Sequence, residues 1–210
     1  MKIDRLVLGE FETNCYILRS SEQATDCLII DTGLDVRPLM EFLENHKANP
    51  IAMVLTHGHI DHIAGVEELR AKYPAIKVYI HKADADLLAN SVSNLSFMTG
   101  DSFSTDEADH LVNEPDIIEK AGIKLQVIHT AGHTPGGICL YAEQEGVVFV
   151  GDTLFADSVG RTDFPGGDMR RLIDNIKDKL LILPDATTVY PGHGPQTTIG
   201  REKTHNPFLH

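Results

Sequence analysis

Short apolar runs alternate with amphipathic stretches along most of this chain. Leu6 to Leu8, Cys15 to Leu18 and Leu28 to Ile30 are runs that predict strands. Asp31-Thr32-Gly33 punctuates the third. Asp35 to Lys47 predicts a helix, because Val36, Leu39, Met40 and Leu43 fall on one stripe. Asn49-Pro50 ends it. Ile51 to Leu55 predicts a buried strand that runs straight into Thr56-His57-Gly58-His59. Asp61 to Tyr73 predicts a second helix, with Ile63, Val66 and Leu69 inward, stopped before Pro74. Further strands are predicted at Lys77 to Ile80, Lys124 to Ile128, Gly137 to Tyr141, Val147 to Val150 and Thr187 to Tyr190. Asp168 to Leu183 reads as helical. The tail beyond Gly200, with Pro207 in it, has room for a short helix.

Ser91 to Pro115 breaks the pattern. It is polar, with Asp101, Asp106, Glu107 and Asp109, and it is expected to contain a long loop, either functional or a solvated excursion. No linker, low-complexity tract or repeat divides the chain, so residues 1–210 are expected to form a single α/β domain of sheets covered by helices.

Composition narrows the classes. Hydrophobic residues make up 42% of the 210, enough for a core, and charged residues 23%. The net charge, 18 − 31 = −13, repels phosphate backbones and makes nucleic acid a poor partner. Cys15, Cys27 and Cys139 have no CxxC spacing and sit among aliphatic residues, which predicts small core residues rather than disulfides. Met1 to Arg5 carry no apolar leader and no run reaches membrane-spanning length, so a cytoplasmic protein with no membrane partner is expected.

The chemistry concentrates in His57-Gly58-His59-Ile60-Asp61-His62, four potential metal ligands within six residues. Gly58 keeps that turn open. Three more follow other predicted strands: His133 in Gly132-His133-Thr134-Pro135-Gly136, Asp152 after Gly151, and His193 in Pro191-Gly192-His193-Gly194. A single histidine after a strand is usually an ordinary hydrogen-bonded residue. Here each candidate sits where an apolar run meets a Gly/Pro turn, and that recurrence points to one metal site. His46, His81, His110, His129, His205 and His210 lack such company and are assigned no ligation.

These elements, with Asp31-Thr32-Gly33 before them, resemble the metallo-β-lactamase-fold hydrolases, and among them the short bacterial glyoxalase II-like (hydroxyacylglutathione hydrolase-like) proteins. The resemblance implies a four-layer αββα sandwich with two divalent metals at one edge between the sheets. It implies that His57, His59 and His133 hold one metal, that Asp61, His62 and His193 hold the other, and that Asp152 bridges them. Asp61 and Asp152 are the carboxylates it places at the reacting centre. Asp31 would orient a ligand histidine; the plainer reading is a strand-ending turn residue. Zinc is the first expectation, and iron or manganese suit the same ligands. The helical C-terminal domain of longer glyoxalase II enzymes is not expected.

The resemblance also implies a small-molecule substrate, S-D-lactoylglutathione or a related glutathione thioester, cleaved by a metal-activated hydroxide. A thiol of pKa about 8.5 leaves readily as thiolate, so no strong general acid is required. The absence of a Gly-x-Ser-x-Gly elbow argues against a serine esterase. Arg161, in Val159 to Asp168, could pair with a substrate carboxylate or make a surface salt bridge. The alternative is an iron-dependent glutathione persulfide dioxygenase, a related group with a similar Gly-Arg-Thr-Asp-Phe stretch, whose iron ligands here would be His57, His133 and Asp152. Lactonase, β-lactamase, nuclease and non-catalytic metal-binding readings rank below these.

Overall fold

The first and second halves of the chain each build a six-stranded sheet in the computed structural model, which describes residues 1–100 and 102–210. Asp101, part of the predicted polar loop, lies outside the described residues. The first sheet takes β1 (Lys2–Leu8), β2 (Thr13–Arg19), β3 (Asp26–Ile30), β4 (Asn49–Val54), β5 (Lys77–His81) and β6 (His110–Val112) in sequence order. β1 to β3 pair antiparallel, and β3 to β6 pair parallel. The parallel crossovers carry α1 (Arg37–Asn45), α2 (Ile60–Ile63) and α3 (Val66–Lys72).

The second sheet has β7 (Ile117–Lys120), β8 (Ile123–His129), β9 (Ile138–Ala142) and β10 (Val147–Gly151) as an antiparallel meander. A small hairpin, β11 (Leu154–Phe155) with β12 (Ser158–Val159), follows. After α4 (Met169–Asn175), β13 (Thr188–Pro191) pairs parallel with β10, β14 (Thr197–Thr198) closes the edge, and α5 (Ile199–His205) covers it.

Alternation of side chains divides the core into three layers. Cys15, Ile17, Ile29 and Met53 face Leu39, Leu43, Val66 and Leu69 of the helices. From the same strands Tyr16, Leu18, Leu28, Ile30 and Val54 face Leu125, Val127, Leu140 and Phe149 of the second sheet. Cys139, Tyr141, Val148 and Val189 on its far side pack on Leu172, Ile176, Leu180 and Ile199. Helix, sheet, sheet, helix is the αββα order expected. The three cysteines are buried and free. Among the described residues no helix is long and apolar enough to cross a membrane.

Two expectations about elements need correction. The helix predicted over Asp61 to Tyr73 is two pieces, α2 and α3. Thr32 donates to the His62 carbonyl from its N–H at 2.9 Å and from its hydroxyl at 3.1 Å, which draws that carbonyl away from the helical ladder. The break falls at Gly65, where a Cβ would press on Val36 and Thr32. The helix predicted over Asp168 to Leu183 is capped by Asp168, which accepts from Arg171 N–H at 3.0 Å, but α4 gives way to a π-helical turn at Ile176–Leu180. Ser91 to Pro115 contains a loop among its described residues, as expected. It holds a 3₁₀ turn at Ser96–Thr99 and β6, of which only Val112 is buried, so apolar patterning had little to reveal.

Candidate metal centre

Turns at one edge of the two sheets, together with the short helix α2, carry the candidate ligands. β4 runs through Leu55 into Thr56 to His59, and α2 begins at Ile60. This places His57, His59, Asp61 and His62 on one side of the gap between the sheets. From the other side come His133 after β8, Asp152 after β10 and His193 after β13.

The structure gathers all seven side chains. Ligand-capable atoms of His57, His59 and His133 lie within 4.8 Å of one another, as do those of Asp61, His62 and His193, and those of His57, His62 and Asp152. Asp152 lies between the first two groups. Its Oδ2 is 3.7 Å from His133 Nε2 and 3.5 Å from His193 Nε2, and its Oδ1 is 3.4 Å from His62 Nε2. Asp61 Oδ2 is 3.2 Å from His193 Nε2 and 3.4 Å from His62 Nε2.

Partners outside the cluster orient each ring. His62 Nδ1 donates to Asp31 Oδ2 at 2.8 Å, and Asp31 also accepts from the Thr56 N–H and hydroxyl, each at 2.8 Å. Since the Thr56 hydrogen goes to Asp31, Thr56 Oγ1 accepts from His57 Nδ1 at 3.1 Å. His133 Nδ1 donates to the Arg161 carbonyl at 2.7 Å, and His193 Nδ1 to the Phe11 carbonyl at 2.9 Å. With Nδ1 so engaged, the Nε2 atoms of His57, His62, His133 and His193 turn inward. His59 instead presents Nδ1, 2.9 Å from His133 Nε2.

Electrostatics show a centre with excess negative charge. Burial holds His57 well below the usual imidazole range, helped by His62, His133 and His59, and burial together with His133 pushes His59 down to about 3. His62 and His193 go the other way. Burial opposes their charge, but Asp61, Asp31 and Asp152 raise His62 well above its usual value, and Asp152 and Asp61 raise His193 to about 10. Against the upward push of burial, Asp61 and Asp152 are held low, chiefly by His62 and His193. Protons on His62 and His193 therefore balance carboxylates in the way a cation would.

The donor set fits divalent cations. His57 Nε2, His62 Nε2 and Asp152 Oδ1 are buried without a hydrogen-bond partner. Each such atom costs about 1–3 kcal/mol unless something satisfies it. Imidazole nitrogens and carboxylates suit zinc, iron or manganese.

Two site features escaped the sequence. Asp84 is fully buried in a 3₁₀ segment, Lys82–Ala89, and ties together the two loops that carry His57, His59 and His133. It accepts from Gly58 N–H at 3.1 Å, Thr134 Oγ1 at 2.7 Å and Gly136 N–H at 2.5 Å. No local pattern marks it, because its partners are remote in the chain. Phe11 contributes only a carbonyl to His193, which no side-chain pattern can announce.

Arg161 lies beside the cluster rather than in it. Its guanidinium grips Asp163 through Nε and Nη2, both at 2.7 Å, and covers the Phe164 ring at 4.1 Å. It lines a cleft of about 490 Å³ that opens onto His59, Asp61, His133, Asp152 and His193.

Known proteins share this architecture. The chain is 36% identical to a probable metallo-hydrolase, YqgX, of Bacillus subtilis, over all of this chain and 98% of that protein. It is 34% identical to the hydroxyacylglutathione hydrolase GloC of Haemophilus influenzae, with the same coverage. Among solved structures, BLEG-1 B3 metallo-β-lactamase superposes with a TM-score of 0.94 at 39% identity over 99% of each chain. TTHA1623 in a di-iron-bound form gives 0.85 at 33% over 98% of this chain and all of that one. ETHE1 from Myxococcus xanthus gives 0.80 at 29% over 99% and 84%. The profile of the metallo-β-lactamase superfamily matches residues 8–193, a span that takes in every side chain of the cluster, and the chain belongs to that superfamily.

Proposed function

We propose that this protein is a metal-dependent thioesterase of the glyoxalase II type, cleaving S-D-lactoylglutathione or a related glutathione thioester. His57, His59 and His133 would hold one ion and Asp61, His62 and His193 the other, with Asp152 between them. Divalent ions in such a centre act as Lewis acids and bring the pKa of a bound water down to about 7.

The observation that carries the reading is the inventory of the cleft. Among the described residues that line it, the imidazoles and carboxylates are His59, Asp61, His133, Asp152 and His193, all members of the cluster. None is left over to protonate a leaving group. Arg161 also lines the cleft, but a guanidinium is no proton donor at neutral pH. A substrate whose leaving group departs as an anion suits such a wall, and a thiolate is one. The likeness to GloC at 34% identity supports the same chemistry.

The chain's own residues orient the cluster and line the cleft. Asp31, Thr56 and the carbonyls of Arg161 and Phe11 fix the rings. Phe155 and Phe164 line the cleft with apolar surface. Arg161, which lines the cleft, would meet a substrate carboxylate.

The deciding experiment is the initial rate of S-D-lactoylglutathione hydrolysis by protein of known metal content, before and after chelation. Turnover that chelation abolishes and zinc or iron restores supports the proposal. Absence of turnover in fully loaded protein rejects this substrate.

Persulfide oxidation is the second reading, with His57, His133 and Asp152 around one iron. The likeness to ETHE1 favours it. Oxygen uptake with glutathione persulfide would distinguish it.

A further inference from the structure

We infer that the cleft beside the cluster is an apolar subsite, and that it selects substrates carrying an aliphatic or aromatic acyl group over those with a small hydroxylated one. The inference rests on the thioesterase reading for the bond that is cleaved, but not for the binding it describes.

The wall is built from Phe11, Leu95, Met98, Phe155 and Phe164. These side chains begin where the cluster ends. The Phe164 ring stands edge-on to His59 at 6.0 Å, and the Phe155 ring edge-on to His193 at 6.3 Å. A group projecting from the reacting carbon therefore meets hydrocarbon on either side of the cluster. Two of the five remain largely open to water, Phe11 at 51% and Met98 at 60%. Covering them removes apolar surface from solvent on substrate and protein alike, and each methylene buried is worth up to about fourfold in binding.

Polar recognition on the same wall is sparse. Among the described lining residues outside the cluster, the polar side chains are Thr99, Ser158 and Arg161. Thr99 donates its hydroxyl to the Ser96 carbonyl at 2.7 Å. Both arms of the Arg161 fork that bind Asp163 are committed, so a glutathione carboxylate must displace an existing partner to use them. Discrimination therefore falls to the apolar surface.

The test uses S-methyl-, S-butyl- and S-hexylglutathione, thioethers that cannot be hydrolysed, in calorimetric titrations of the metal-loaded protein. Dissociation constants should tighten with chain length, by up to about fourfold per methylene. Met98→Ser, at an exposed position, should flatten that dependence at unchanged metal content. In parallel, kcat/KM should climb from S-acetyl- through S-butyryl- to S-hexanoylglutathione and exceed that for S-D-lactoylglutathione. Dissociation constants indifferent to chain length would overturn the subsite. Length-dependent binding with no turnover of any S-acylglutathione would uphold the subsite and remove the thioesterase; turnover without length dependence would do the reverse.

Discussion

The carboxylate of Asp84 accepts a hydrogen bond from the backbone N–H of Gly136 at 2.5 Å, across the gap between the two sheets. Its other oxygen takes Gly58 N–H and the Thr134 hydroxyl. Two loops that must present histidines to a common point are thus held in register by one buried side chain. Burial raises its pKa, and these three hydrogen bonds act against that rise.

Asp84→Asn should weaken this tie, since an amide offers one acceptor oxygen where three donors converge. We expect zinc affinity to fall about tenfold or more, with a stability loss of about 1–3 kcal/mol from the unpaired N–H. Competition with a chromophoric chelator and thermal unfolding measure the two. Unchanged affinity would show that the loops hold their positions without Asp84.

Asp152→Ala removes a carboxylate that lies within 3.7 Å of three of the histidines. Metal content and hydrolysis should be lost together while far-ultraviolet circular dichroism stays native. Full activity in this variant would end the bridging assignment.

Asp31 occupies a left-handed backbone position, φ 57°, and holds His62 from behind. Asp31→Asn should cost about 10- to 100-fold in metal affinity, the usual effect of losing an orienting partner. Equilibrium dialysis would detect it, and an affinity within twofold of the parent would assign Asp31 to the turn alone.

Metal uptake should release protons. His62 is raised well above its usual range and His193 to about 10, so in the metal-free protein at pH 7 both are protonated. A cation that takes their Nε2 lone pairs expels about two protons. Apparent affinity should therefore fall as pH drops. The metal-free fold has its own signature. Stabilisation from His193 is complete below about 6.5 and is lost as pH rises toward 10. His59, pushed down to about 3, acts oppositely, and its cost appears as pH falls from about 6.5 toward 3. Calorimetry in buffers of differing ionisation enthalpy counts the protons, and zero release at pH 7 would contradict this charge assignment.

Arg161 and Asp163 form an exposed pair at the rim of the cleft. Arg161→Ala should raise KM for a carboxylate-bearing thioester severalfold with metal content unchanged. Asp163→Asn should lower KM by freeing the fork. Steady-state kinetics separate these from a stability effect, and equal KM values in all three proteins would take Arg161 out of substrate binding.

The sequence reading reached the strands that carry the cluster because each is a compact apolar run ended by Gly or Pro, as at Val147 to Gly151. It also named the seven clustered side chains, since each follows such a strand. It failed where structure depends on partners far along the chain. Nothing near Gly65 announces that Thr32 will take the His62 carbonyl, and nothing near Asp84 announces Gly136. β6 pairs with β5 through a three-residue segment whose side chains are mostly exposed, so its backbone hydrogen bonds leave no hydrophobic trace.

The division of the cluster between the two sheets has a consequence for biosynthesis. His57, His59, Asp61 and His62 belong to the part made first, whereas His193 follows β13 and comes just before α5. A ribosome releases the first sheet with its half of the cluster facing nothing. The second sheet must be made and docked before the remaining side chains arrive, so the full donor set exists only once His193 has been made and folded into place. Loading with cation is then an event of the folded protein, and a nascent chain stalled short of His193 should bind metal weakly however well its first sheet has folded.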